Sequence, residues 1–204
     1  MSFYKNVTSK PWEYSSPTLG SGPESAFDTP SERIALTLFL VVVTVIFSLL
    51  TVTYYLRMDL GDWVPLADPT LLWVNTSLLV VSSVLFQLSR NVAQKEQRLP
   101  ARNLFLAAGL FAISFVVGQI VVWQQLAAEG FGVASNPASA FFYLLTGMHA
   151  LHIVGGLWVW SKTSLRFFGD AELSDLRLSV GLCTTYWHFL LVLWVFIFAV
   201  LTNT

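Results

Sequence analysis

The chain has 204 residues, 55% of them hydrophobic and only 11% charged, with a mean hydropathy of +0.65 and a formal net charge of -1. So few charges exclude a solvated globular surface, which ordinarily carries roughly 25%, and 11 basic against 12 acidic residues leave no cationic surplus for nucleic-acid phosphates. A single cysteine, Cys183, excludes an internal disulfide, and with only three histidines it restricts the metal or haem chemistry the chain hosts alone.

Residues 1–33 are polar and broken by Pro11, Pro17, Pro23, Pro30 and the Gly20-Ser21-Gly22 stretch, which predicts an irregular arm. No apolar segment closely follows the first lysines, so the arm does not read as a secretory signal. Phe3, Trp12 and Tyr14 would anchor it if it lay across a partner subunit; polar, proline-rich termini favour a mobile tail instead.

From residue 34 to residue 204 the composition predicts a single membrane domain. Five apolar stretches occupy about 34–55, 71–89, 104–126, 140–160 and 178–201, each near the ~20 residues that cross roughly 30 Å of hydrocarbon as a helix. None contains Asp, Glu, Lys or Arg. The breaks fall at Gly61, Pro65 and Pro69, at the basic stretch 90–102 with Pro100, at Gly130, Gly132 and Pro137, and at Gly169 with Asp170, Glu172 and Asp175. The expected fold class is therefore all-α, a bundle of five transmembrane helices.

Sorting the basic residues by connection orients the bundle. Lys5, Lys10 and Arg33 precede the first span, Arg90, Lys95, Arg98 and Arg102 follow the second, and Lys162, Arg166 and Arg177 follow the fourth, whereas Arg57 alone occupies the other side. Because positive charge is retained in the cytoplasm during insertion, this asymmetry predicts a cytoplasmic N-terminus, an outside C-terminus and an odd number of spans.

Inside the spans the polar groups are uncharged. Asn75, Thr76, Ser82 and Ser83 in the second span and Gln119 in the third would be costly against lipid, so they are expected to face other helices. Such a bundle reads as a scaffold rather than a conduit, since transporters and proton relays keep ionisable groups within the membrane. The fourth span carries His149 and His152 three residues apart on one helical face, and the fifth carries His188 at a depth similar to His152. Paired imidazoles on facing helices would suit a bis-histidine haem b in an electron-transfer protein. With no carboxylate or thiolate beside them, the histidines read more simply as buried hydrogen-bonding groups, forming with Trp187 an uncharged cluster between spans four and five. Trp187 and Trp194, seven apart in span five, read as packing residues, and Cys183 as a small packing residue. Trp73, Trp123, Trp158 and Trp160 fall near span ends and suit an interfacial belt. Small residues, among them Ala108, Ala112, Gly118, Gly147 and Gly156, mark places where helices approach closely.

These residues resemble subunit III of the haem-copper terminal oxidases in its short five-helix form. The segment from Phe142 through Thr146-Gly147-Met148-His149 and His152 to Gly156 is similar to the family's F-y-x-l-T-G-x-H-x-x-H-v-x-x-G, and Tyr186-Trp187-His188-Phe189 followed by Trp194 to its Y-W-H-F-x-x-x-x-W. Asn75-Thr76 with Ser82-Ser83, and Gly118-Gln119 followed by Trp123, match the second and third helices. Where family members commonly carry carboxylates, this chain has Val43, Val122 and Leu191, which removes any proton-buffering role those groups would have.

The resemblance implies a non-catalytic subunit with no catalytic, cofactor-binding or metal-binding residues, in which Asn75, Gln119, His149, His152, Trp187, His188 and Trp194 form buried polar and aromatic packing. It implies a complex that reduces dioxygen to water in aerobic respiration and moves protons, with haems and copper held by the partners. Subunit I is then the main contact, subunit II a further member, and structural phospholipid and membrane lipids are bound. A cytochrome c oxidase in the bacterial cytoplasmic membrane is favoured over a quinol oxidase and over the mitochondrial inner membrane; a subunit III-like partner of a nitric oxide reductase stands as an alternative. Composition agrees: a haem-copper centre needs about six histidines and a dinuclear copper site a pair of cysteines.

Overall fold

The computed structural model describes residues 31–64, 70–169 and 172–203, so the arm up to residue 30 lies outside the described residues. All regular structure among the described residues is helical: α1 Ser31–Met58, α2 Leu71–Gln94, α3 Arg98–Ala128, α4 Pro137–Phe168 and α5 Leu173–Thr202. All five are long and apolar enough to cross a membrane. With 28, 24, 31, 32 and 30 residues they overrun the predicted spans, chiefly at the ends that carry charge. The apolar stretch marks what sits in hydrocarbon, but the backbone ladder continues through Arg98, Arg102, Lys162 and Arg166 at the helix ends. α1 likewise begins at Ser31, three residues ahead of the predicted span.

Local chemistry fixes the helix ends. The Asn136 side chain accepts the Ser139 amide at 2.9 Å and Pro137 takes the first helical position, together starting α4. α3 stops at Gly130, which adopts a left-handed φ of 91° while Phe131 N–H donates to Leu126 C=O at 2.8 Å. The turn after α2 uses the same closure at Glu96, φ 63°, with Gln97 N–H reaching Val92 C=O.

α2 and α3 form an antiparallel hairpin across this tight turn. Their buried residues recur at alternating steps of three and four: Leu72, Asn75, Leu79, Ser82, Phe86, Ser89 and Ala93 on α2, and Ala101, Phe105, Ala108, Ala112, Phe115, Gln119, Val122 and Leu126 on α3. That is a heptad seam, made narrow by small residues. Ser82 Oγ donates to Ala108 C=O and Ser89 Oγ to Ala101 C=O, both at 2.8 Å, so two hydroxyls one heptad apart lock onto two carbonyls one heptad apart.

α5 packs on α1, α2 and α4, and α4 closes the bundle against α3. Glycines set the closest approaches. A Cβ at Gly109 would lie 2.0 Å from the Trp160 indole, one at Gly118 2.1 Å from Asn75 Oδ1, and one at Gly156 2.7 Å from the Tyr186 ring. α1 lies on the outside: Val43, Phe47, Thr51 and Tyr54 face α4 and α5, while Leu38, Val41, Val42, Val45, Leu49 and Val52 are exposed.

Candidate functional site

The expected polar residues do turn inward. Asn75, Ser82, Ser83 and Gln119 are buried, and Thr76 is half-buried. Trp194 organises one level of the interior. Its indole N–H donates to Thr76 Oγ1 on α2 at 3.0 Å, its ring lies 5.0 Å from the His149 imidazole on α4, and Phe115 of α3 meets it edge-on at 4.9 Å. Phe115 also stands edge-on to His149 at 6.0 Å. One residue from each of α2, α3, α4 and α5 therefore meets at Trp194.

The other two histidines turn elsewhere. His188 looks toward α2: Ser83 Oγ lies 2.5 Å from Nδ1 and Gln87 Oε1 lies 3.0 Å from Nε2. The amide oxygen only accepts, so Nε2 carries the proton and Nδ1 accepts from the serine hydroxyl. His152 looks toward α1, its ring 5.8 Å from Phe47 and 6.1 Å from Phe39, with Nδ1–H donating to the Met148 carbonyl at 2.6 Å. Trp187 does not join them but stacks on Phe86 at 5.0 Å and 14°. The seven singled-out residues thus do not form one cluster: His149 meets Trp194, Asn75 lies against Gly118 beside Gln119, and His152, Trp187 and His188 each engage a different neighbour.

This geometry bears on haem. Both His188 nitrogens are committed to protein hydrogen bonds, and His152 spends Nδ1–H on its own helix, so the pair does not offer converging lone pairs to an iron. Among the described residues no group of three or more His, Cys, Asp or Glu side chains is placed to hold a metal.

Two of the tryptophans read as interfacial also bind helices together. Trp123 Nε1–H donates to Thr146 Oγ1 at 3.0 Å, and Trp160 Nε1–H to Phe105 C=O at 2.9 Å. Trp73 and Trp158 are exposed, at 60% and 65%. Span-end position is shared by both kinds, and only the facing partner separates them. Of the positions where carboxylates were expected from the resemblance, Val43 and Val122 are buried and Leu191 is half-buried.

One end of the bundle gathers the basic residues. Arg98 donates to the α4 terminal carbonyls of Phe167, at 3.2 Å, and of Gly169, Arg177 pairs with Glu96 at 2.6 Å, and Arg166 donates to Ser179 Oγ at 3.2 Å. The Arg98 guanidinium thereby satisfies carbonyls that a helix C-terminus leaves open. A separate cavity of about 180 Å³ is lined by Arg33, Arg90, Leu36 and Leu182, and adjoins an apolar groove of about 330 Å³ lined by Leu36, Phe39, Gly155, Val159, Leu182 and Tyr186. At the opposite end Arg57 grips Asp62 through two hydrogen bonds of 2.6 and 2.5 Å. That double contact holds the Asp62 carboxyl below its ordinary pKa of 3.8.

Comparison with known proteins adds the family. Residues 30–203 match the family model for cytochrome c oxidase subunit III. The chain is 30% identical over 148 residues, 68% of itself and 70% of the relative, to a probable cytochrome c oxidase subunit 3 of Nocardia farcinica. It is 30% identical over 128 residues, 62% of itself and 61% of the relative, to the cytochrome bo(3) ubiquinol oxidase subunit 3 of Pseudomonas aeruginosa. A third relative, cytochrome c oxidase subunit 3 of Thermostichus vulcanus, is 24% identical over 188 residues, covering 87% of this chain and 90% of its own length.

Proposed function

Because the chain belongs to the cytochrome c oxidase subunit III family, we propose that it docks through its membrane helices onto subunit I of a haem-copper oxidase, with subunit II in the same complex. The chain is an accessory subunit III of such an oxidase, a multi-pass membrane protein whose place in aerobic respiration follows from its family. The observation that carries the docking role is a bundle interior tied across by hydrogen bonds between uncharged groups, among them Ser82–Ala108 and Trp194–Thr76, with no carboxylate at Val43, Val122 or Leu191. Such an interior stabilises and positions; it does not ferry charge.

The gathering of Arg33, Arg90, Arg98, Arg166 and Arg177 at one end supports a cytoplasmic N-terminus and an outside C-terminus in a bacterial cytoplasmic membrane. The same end supports bound phospholipid, an acyl chain lying in the groove at Phe39 and Tyr186 with its phosphate against Arg33 and Arg90. Haems and copper then belong to the partners. Cytochrome c serves as electron donor in this reading, with a quinol as the other outcome.

Purification of the complex through a tag on this chain tests the role. The expected result is co-purification with a haem-bearing subunit I, and a haem spectrum unchanged by His152→Leu or His188→Leu. A Soret band stoichiometric with the chain purified away from its partners, or a haem signature lost in either variant, overturns it.

A further inference from the structure

We propose that the interior of the α2–α5 bundle holds an internal hydration site, in which water molecules bridge Asn75 of α2, Gln119 of α3 and His149 of α4. Five nitrogen and oxygen atoms on these three side chains have no hydrogen-bond partner within the chain: Asn75 Nδ2, Gln119 Nε2 and Oε1, and His149 Nδ1 and Nε2. The side chains are sealed from the exterior, with exposures of 1%, 1% and 0%. Buried polar groups are ordinarily hydrogen-bonded, as Ser82, Ser83, Ser89, Thr146, Thr184 and His188 are; among the described residues the other unpartnered buried atoms, such as Trp187 Nε1 and Ser164 Oγ, come one to a side chain.

The three side chains share one level. Phe115 and Trp194 both touch His149, and Trp194 bonds Thr76, the neighbour of Asn75. Gln119 follows Phe115 by one turn on the same buried seam. Gly118, next to Gln119, bears no side chain where Asn75 Oδ1 approaches, and so lets the Asn75 amide of α2 lie against the α3 backbone beside Gln119. A neutral imidazole supplies one donor and one acceptor, and the two amides supply the rest. A buried water makes about three hydrogen bonds, so two molecules satisfy all five atoms while joining three helices. The inference rests on the bundle interior alone and is independent of what the subunit docks against.

Millisecond X-ray hydroxyl-radical footprinting of the intact detergent-solubilised complex in ¹⁸O-water tests it, because radicals born from internal water oxidise the side chains beside it. Phe115 is compared with Phe105, the same residue type, equally buried, on the same helix and packed against Phe86 and Phe167. The expected result is oxidation of Phe115 about tenfold faster than of Phe105, as befits a side chain beside bound water, falling to the Phe105 rate in N75L/Q119L. Equal rates in the unmodified complex, as a direct Gln119–His149 hydrogen bond that excludes water would give, overturn the proposal without need of a variant. Fast labelling that persists in N75L/Q119L overturns it as well.

Discussion

The Trp194 indole N–H donates to Thr76 Oγ1 at 3.0 Å, joining α5 to α2 while the indole ring rests 5.0 Å from His149 of α4. In hydrocarbon a broken interhelical hydrogen bond finds few substitutes, yet such bonds average only about 0.6 kcal/mol and reach about 1.7. Thr76→Val is therefore expected to cost about 1 kcal/mol, and Trp194→Phe more, since it also strips ring area from His149 and Phe115. A double-mutant cycle on the thermal midpoint of the solubilised complex is expected to show a coupling near 0.6 kcal/mol. Strict additivity would mean that this bond contributes nothing.

Glycines divide cleanly by what stands beside them. At Gly109, Gly118 and Gly156 an added methyl would collide with Trp160, Asn75 and Tyr186, whereas nothing lies within 4 Å of a Cβ at Gly147 or Gly181. Trp160 is held by its bond to Phe105 C=O and cannot swing aside freely. Gly109→Ala is expected to destabilise by about 1–3 kcal/mol through overpacking, and Gly147→Ala to stabilise by up to about 1 kcal/mol through helix propensity. Opposite shifts in thermal midpoint check the pair.

How far the sequence disclosed this arrangement depends on the residue. Uncharged polar groups in an apolar stretch have one economical place, against another helix, so Asn75, Ser82, Ser83 and Gln119 were legible as inward-facing. The Thr146-to-Gly156 and Tyr186-to-Trp194 segments carried the family. The directions of the histidines were not legible. Depth along a helix follows from counting residues, but azimuth toward a particular neighbour depends on helix order. His152 and His188, similar in depth, address α1 and α2. The partners of Trp123 and Trp160 were not legible for the same reason: both stand near span ends, and only packing reveals that their N–H groups are spent on Thr146 and Phe105. The heptad seam of α2 and α3 was present in the serine and alanine spacing, yet a pattern of small residues gains meaning only once antiparallel pairing is known.

A carboxyl-reactive carbodiimide is expected to leave no adduct within 34–55, 71–89, 104–126, 140–160 or 178–201. Hydrophobic carbodiimides modify carboxyls inside the membrane, and here the acidic side chains on helices sit near ends, as Glu32 and Asp175 do. Peptide mass spectrometry after labelling reads the outcome, and an adduct inside any of these stretches would contradict the charge-free interior.

The Arg57–Asp62 pair predicts a local pH response. Arg57 holds the Asp62 carboxyl below its ordinary pKa of 3.8, chiefly by direct hydrogen bonding. A lowered native pKa contributes stability that is fully present above about pH 4 and is lost as pH falls through the native value. Both groups are solvated, so the effect is confined to the turn that follows α1, where Trp63 N–H bonds Leu60 C=O. Hydrogen exchange over residues 59–64, corrected for intrinsic rates, is expected to quicken below pH 4 in the unmodified chain and to be faster at neutral pH in Asp62→Asn, which loses the acid response.

The α2–α3 seam separates volume from polarity. Ser82 and Ser89 are fully buried, and their hydroxyls donate across to Ala108 and Ala101, carbonyls already within a helix ladder. Ser89→Ala therefore removes one auxiliary hydrogen bond and is expected to cost about 0.6 kcal/mol. Ser89→Leu places a branched side chain where the opposing residue is an alanine at 0% exposure, with Phe86 and Phe105 edge-to-face at 5.3 Å beside it. The added volume is expected to push the helices apart, at a loss of about 1–3 kcal/mol or more. Ala101→Leu, which adds similar volume from the facing helix and leaves the Ser89 hydroxyl in place, should match Ser89→Leu rather than Ser89→Ala. Thermal midpoints of the three variants in the solubilised complex decide the matter: equal losses for Ser89→Ala and Ser89→Leu would show that the hydroxyls, and not the narrowness of the seam, hold α2 against α3.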